Sequence, residues 1–259
     1  MAAADQAQCA LDPREDLRAW QFHSVYRVLT ALALPEAACL YLRLCVRSPR
    51  GIRWLKSHGH RPWRTVYGIA TGRLVRRVQR RTRGALSPVV VWPETLPSIC
   101  VLAFFHSPWD LVMARESAHR QYCLVRASPL WAESLGQQRV NWDRPGLRSL
   151  VRRVRSGRRC AAAMDNFVGR ADAGFCGTQS PLNPAAARLA AVTGAPLVPI
   201  WPCYDHGVLS FEVGAPIAAA ACTDRRDEAL RLAGDFFQNA VLQDPASWRR
   251  ILWFLEVAL

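Results

Sequence analysis

From residue 98 onward, short apolar runs alternate with segments of helical period, and this alternation constrains the fold more than any other feature of the chain. SICVLAFF (98–105) has the length and the flanking turn signals of a buried strand. Residues 108–119 follow as a helix, and QYCLVRA (121–127) reads as a second strand. In GLRSLVRRVRSG (146–157), Leu147, Leu150, Val151 and Val154 fall at helical spacing, and Gly157 is a stop. RCAAAMD (159–165) is a strand that ends in a carboxylate, and PAAARLAAVTG (184–194) is a helix between a proline and a glycine. APLVPIWP (195–202) and VLSFEVG (208–214) are strands, and two helices, roughly 225–242 and 247–258, close the chain. The order predicts an α/β fold: a mostly parallel central sheet flanked by helices. Ligands of such sheets collect at the carboxyl ends of the strands. His106 and Asp165 both lie just past a strand end.

Residues 1–97 have a different texture, helical and basic. RLVRRVQRRTRG (73–84) sets Leu74, Val75 and Val78 on one face and arginines around the rest. That pattern suits a solvated surface helix, or one lying apolar face down on anionic lipid. The most membrane-like stretch, 25–46, is interrupted by Arg27, Pro35, Glu36 and Arg43. A span needs about 20 mostly uninterrupted apolar residues, so an in-plane helix or one packed on the domain is expected. The first residues are polar and acidic, without the basic start of a signal peptide. Pro88, Pro93 and Pro97 mark a boundary. The expected organisation is a membrane-associating region over 1–97 and an α/β core over 98–259. One domain is compatible with both, since 259 residues of 51% hydrophobic composition suffice for a single core.

The formal net charge of +14 comes almost entirely from arginine, Lys56 being the only lysine. A charge of that sign suits a nucleic acid, a membrane surface, a phosphorylated substrate or an acidic carrier protein. The nine cysteines are scattered and form no C-x-x-C pair. Cys39, Cys45, Cys100 and Cys160 sit in apolar contexts and read as buried thiols, not as a disulfide frame or a zinc site.

The residues that bear chemistry begin with FFHSPWDLVMA (104–114). If Pro108 opens a helix, His106 lies at its cap and Asp110 in its first turn, so both side chains can share a face. The carboxylate would then fix the imidazole tautomer and leave the other ring nitrogen as a base for a hydroxyl. The alternative is a structural histidine with a helix-dipole aspartate. Cys176 with Asp205 and His206 suggests a cysteine hydrolase, but Asp205-His206-Gly207 reads as a hairpin turn. Ser107 lacks a G-x-S-x-G elbow. No metal spacing or phosphate-binding glycine loop is present, so neither metal nor cofactor is expected.

The ordered series of features over roughly 98–255 resembles the bacterial lipid A (lauroyl/myristoyl) acyltransferases, within the lysophospholipid acyltransferase superfamily. The resemblance rests on HSPWDL, on CLVRASPL with Arg126, on Arg139, and on AAAMDN with Asp165 and Asn166. It continues through GFCGTQSPLNPAAARLAAVTGAPLVP, which includes Gly177, to DPASWRRILWF. Two departures stand out: three residues rather than four separate His106 from the acid, and Asn166 stands where the family has Gln. His-x-x-x-Asp also occurs in plant-type acyl-CoA-dependent acyltransferases and in condensation domains. Those are much longer and carry an Asp-Phe-Gly-Trp-like motif that this chain lacks.

The resemblance implies His106 as general base and Asp110 as its orienting acid. Arg126, and Arg139 on the same logic, would bind phosphate or stabilise an oxyanion, an ion-paired surface arginine being the alternative. Asp165 would shape the site or pair with Arg126, a helix-dipole or ion-pair role unrelated to catalysis being the alternative. Gly169-Arg170-Ala171-Asp172 and the Phe175–Gly177 segment would border the acyl cleft, a tight surface turn being the alternative. The activity implied is transfer of a fatty or polyene acyl group from an acyl carrier protein or coenzyme A to a hydroxyl of a lipid or glycolipid. Its place would be the cytoplasmic face of the inner membrane, peripheral or weakly anchored, with no nucleic-acid partner. The alternatives are a degenerate, non-catalytic acyltransferase fold and a basic protein that binds membrane or nucleic acid.

Overall fold

The computed structural model describes residues 11–82, 85–110, 112–113, 123–125, 139–140, 144–165, 175–176 and 182–258. Four helices come first: α1 (Pro13–Leu32), α2 (Leu34–Arg47), α3 (Pro49–Ser57) and α4 (Pro62–Arg81). α1 begins on a capping box. Asp12 accepts from the backbone of Arg14 and Glu15, and Glu15 reaches back to the Asp12 N–H. Pro35 lacks the N–H that would continue α1, and its ring crowds the preceding turn. The chain therefore breaks at Ala33 and α2 leaves at 50° to α1. The apolar stretch 25–46 is thus two bent helices. Among the described residues no single helix is long and apolar enough to cross a membrane.

The strands are β1 (Val89–Val90), β2 (Val101–Phe104), β3 (Cys123–Val125), β4 (Arg139–Val140), β5 (Cys160–Ala163), β6 (Leu197–Asp205) and β7 (Val208–Val213). They form one sheet in the order β1-β7-β6-β2-β5-β3-β4, parallel at every pairing except β6 with β7. The helices between and after them are α5 (Arg144–Arg155), α6 (Ala185–Thr193), α7 (Ala219–Asp224), α8 (Arg226–Gln243) and α9 (Ile251–Trp253), the last running on as a wider turn over Phe254–Ala258. The expected α/β class with a mostly parallel sheet is what the chain adopts. β1 is a difference, because it lies within the stretch read as helical and joins the sheet on β7. β4 also escaped the sequence reading. Two residues carry no periodicity, and only pairing with β3 makes them a strand.

Both faces of the sheet are covered, and alternation along the central strands sorts the residues. Val101, Ala103 and Phe105, with Cys160, Ala162 and Met164, point into a core shared with α2, α3, α4, α6 and α8. Leu102, Ala161, Val198 and Ile200 point the other way, towards α1, Trp92 and Trp109. Burial on both faces explains why these strands read as unbroken apolar runs. At the tip of the β6–β7 hairpin, His206 and Gly207 both take positive φ (40° and 91°), as a two-residue turn of the primed type requires. Of the cysteines read as buried, Cys100 and Cys160 are, whereas Cys39 and Cys45 lie on the exposed side of α2.

Candidate active site

The parallel register builds the site. β2 and β5 pair Val101 with Cys160, and so on through Phe104 with Ala163. Met164 N–H extends the ladder to the Phe104 carbonyl at 2.9 Å. The same offset of 59 residues brings His106 opposite Asp165, both two residues beyond the paired strand ends and on one face. His106 Nδ1 lies 2.5 Å from Asp165 Oδ1, and the His106 backbone N–H donates to Asp165 Oδ2 at 3.1 Å. Trp248 donates its indole N–H to the same Oδ2 at 3.0 Å, and Arg250 Nε lies 3.8 Å from it. Asp165 is fully buried, while the His106 side chain keeps 22% of its surface.

Asp110, expected to orient His106, has a different task. Its Oδ1 accepts the Ser107 backbone N–H at 2.7 Å, and its Oδ2 accepts from Arg249 at 3.3 Å. It caps the turn after β2 and ties that turn to the C-terminal segment, whose Arg249 N–H donates to the His106 carbonyl at 2.8 Å. The imidazole nitrogen bonds to Asp165 instead, so the shortened spacing between His106 and Asp110 does not decide how the ring is held. A carboxylate on the neighbouring strand reaches Nδ1 straight across the sheet, whereas Asp110 is turned back onto its own backbone.

The electrostatics follow from this geometry. Burial pulls the His106 pKa down, but the Asp165 charge and hydrogen bond, helped by Asp110, outweigh it and hold the imidazole above its ordinary value. Burial pushes Asp165 up. The charge and hydrogen bond of His106, then Trp248 and Arg250, outweigh that and hold its carboxyl below the usual range. A second pair, His206 with Asp205, has the same 2.5 Å separation, but its side chains are 79% and 85% exposed. Water screens a pair of that kind to about 1 kcal/mol or less. It sits at a hairpin tip, as the sequence suggested. Cys176 is not with it: burial pushes its thiol up to about 12, which removes a thiolate nucleophile.

Of the remaining expected residues, Arg139 opens β4 opposite Leu124, while Arg126, Asn166 and Gly177 lie outside the described residues, as do Gly169-Arg170-Ala171-Asp172. Phe175 is a core residue, packed on Phe105, Trp248 and Phe254. Trp248, Arg249 and Arg250 are functional candidates that the sequence marks only weakly. Their one signal was the motif SWRR in a segment already matched to a family pattern.

The helices of the N-terminal region reach this turn directly. Trp109 stacks on Tyr204 at 4.7 Å, and Phe22 and Tyr26 of α1 contact Trp109 at 6.2 Å. On the other side, Gly72 of α4 passes so close to Pro108 that an added Cβ would lie 2.8 Å from its Cγ.

Residues 134–256 match the family described as bacterial lipid A biosynthesis acyltransferase. The match bears out the resemblance read from the sequence. It takes in Asp165, Trp248, Arg249 and Arg250, and begins after His106. Among solved structures, the chain is similar to the 1-acyl-sn-glycerophosphate (LPA) acyltransferase PlsC from Thermotoga maritima. That likeness has 14% sequence identity and a TM-score of 0.39, and covers 85% of this chain and 95% of that one. No curated protein matches the sequence.

Proposed function

We propose that this chain, whose residues 134–256 match the bacterial lipid A biosynthesis acyltransferase family, transfers an acyl group from a thioester donor to a hydroxyl of a lipid or glycolipid acceptor, with His106 as general base. The observation that carries the proposal is the buried Asp165 carboxylate on His106 Nδ1 at the carboxyl ends of adjacent parallel strands. An Nδ1–H donated to Asp165 leaves Nε2 deprotonated and available to a hydroxyl. The acceptor oxygen gives its proton to Nε2 and attacks the thioester carbonyl carbon. The tetrahedral intermediate then expels the thiolate, which takes the proton back from the imidazolium. Asp165 stabilises that imidazolium without taking its proton. Arg126 and Arg139 remain the proposed partners of the oxyanion or of a phosphate. The carboxylate on His106 favours an active enzyme over a degenerate fold, because the dyad does not depend on the length of the 106–110 turn.

The chain acts, on this reading, at the cytoplasmic face of the inner membrane. Support comes from α1 and α2, where Leu17, Trp20, Val28, Leu32, Leu34, Leu42 and Val46 are exposed. Arg14, Arg18, Arg27, Arg43 and Arg47 lie among them. Apolar side chains flanked by arginine suit an anionic lipid surface.

The test offers purified protein acyl carrier protein and coenzyme A thioesters with candidate lipid acceptors, and identifies products by mass spectrometry. Acylated acceptor formed by the native chain and absent with His106→Ala is expected. Product formed equally by both proteins would remove His106 as the base.

A further inference from the structure

One face of α8 supports the His106–Asp165 pair at three points. Phe237 and Gln238 follow Gly234 by three and four residues, so the three share that face. Phe237 stacks on Phe105, the residue before His106, with ring centroids 4.2 Å apart and planes 16° apart. Gly234 rests on Leu182, where an added Cβ would lie 3.1 Å from the leucine Cδ1. Leu182 precedes Asn183, whose backbone N–H donates to the carbonyl of Met164, the residue before Asp165, at 2.8 Å. Gln238 Oε1 accepts the Cys176 backbone N–H at 3.0 Å.

Cys176 is held in a conformation that cysteine does not favour. Its φ is 51°, in the left-handed region that suits glycine and crowds a Cβ. Among the described residues His206 is the other non-glycine with positive φ, and its hairpin turn accounts for it. At Cys176 the surroundings impose the angle. Gln238 fixes the N–H, and the adjoining Phe175 is buried against Phe105, Trp248 and Phe254 at 5.2–6.3 Å. Strained backbone persists only where the structure around it over-determines it, and it gathers at functional sites. Phe175 touches both supports of the dyad: Phe105 leads into His106, and Trp248 donates to Asp165 at 3.0 Å. Of the three α8 residues only Gln238 hydrogen-bonds through its side chain, so it alone can direct the Cys176 N–H.

We propose that Gln238 is a positioning residue. By fixing Cys176 in its left-handed conformation it seats Phe175 against Phe105 and Trp248, and so keeps the Asp165 carboxylate in line with His106 Nδ1. Its effect on acyl transfer rests on the reading of His106 as the base, but its effect on the His106–Asp165 hydrogen bond does not.

Proton–nitrogen NMR of the full chain reads that hydrogen bond without any catalytic step, with His106→Ala identifying the imidazole signal. A carboxylate on Nδ1 moves the Nδ1–H resonance downfield and raises the titration midpoint. Gln238→Met keeps the length of the side chain and deletes the acceptor. It is expected to move the resonance upfield, to lower the midpoint, and to reduce kcat about tenfold with KM for donor and acceptor within about twofold. Gln238→Glu restores an oxygen acceptor and should recover the resonance, the midpoint and most of kcat. Gln238→Ala retains helix propensity and carries the same test if Gln238→Met does not fold. An unmoved resonance and midpoint in the variant that lacks the acceptor overturns the proposal, as do equal losses in Gln238→Glu. A native chain whose resonance responds to Gln238→Met as expected, yet which transfers no acyl group, keeps the positioning role and loses the acyl-transfer reading.

Discussion

Trp248 donates its indole N–H to Asp165 Oδ2 at 3.0 Å, so the carboxylate that holds His106 is itself held from the C-terminal segment. The indole packs among Phe105, Phe175 and Phe254 at 5.4–5.6 Å, which leaves it little freedom to follow a moving carboxylate. Trp248→Phe keeps an aromatic ring there and deletes the donor. The expected result is a fall of about tenfold in kcat, with KM for donor and acceptor within about twofold, since the lost contact positions the base and not the substrates. A change confined to KM would show that Trp248 acts on binding.

The two shifted groups of the dyad give a pH profile with a defined sign. His106 must be neutral to accept a proton, and its pKa is raised, so activity should climb with pH through a midpoint above the ordinary imidazole value of about 6.5. Asp165→Asn removes the main cause of the rise and lowers that midpoint. It also offers Nδ1 an amide donor, which favours the wrong tautomer, so kcat should drop by ~10³–10⁴-fold, as in triads that lose the acid. Stability follows the same linkage. The raised His106 contributes stability that is full below the unfolded pKa and lost as pH rises through the folded one. The depressed Asp165 contributes stability present above its unfolded pKa and lost as pH falls through the folded one. Urea midpoints across pH should therefore peak between the two values, and His106→Ala should flatten the alkaline side.

How this site could be read from the sequence depends on range. The strands around 101–104, 160–163, 197–205 and 208–213 were legible because apolar runs, prolines and glycines are local signals. So was the turn at Asp205-His206-Gly207. Helical spacing is also local and points to Asp110 as the orienting acid, because four residues put two side chains within reach. The true partner depends on the register between β2 and β5, and no short-range pattern encodes which of 59-residue or neighbouring offsets a parallel pair adopts. Asp165 could be named as a strand-end carboxylate, but its partner could not. The contact of Gly72 on Pro108 is illegible for the same reason, because nothing in RLVRRVQRR says which turn α4 rests on.

Asp110 and Asp165 are separable by experiment. Asp110→Asn keeps an oxygen for the Ser107 N–H, since asparagine caps as well as aspartate, and loses only the charge facing Arg249. Activity should fall by no more than about tenfold, far less than for Asp165→Asn. Asp110→Ala loses the cap as well and should lower stability by about 0.5–2 kcal/mol in chemical denaturation. Equal kinetic losses for Asp110→Asn and Asp165→Asn would return Asp110 to the dyad.

Gly72 couples the N-terminal helices to the chemistry. An alanine there would improve the intrinsic helix propensity of α4 by about 1 kcal/mol. Its methyl, however, would lie 2.8 Å from Pro108 Cγ and 3.1 Å from Pro108 Cβ. The proline ring cannot swing away as a long side chain would, so either α4 or the 106–110 turn must move. Overpacking of this kind typically costs about 1–3 kcal/mol, which exceeds the propensity gain. Gly72→Ala should therefore unfold at lower denaturant concentration than the native chain. Its acyl transfer should fall as well, because the displaced turn carries His106. A variant of native stability and full activity would mean that the helix and the turn are not in contact as described.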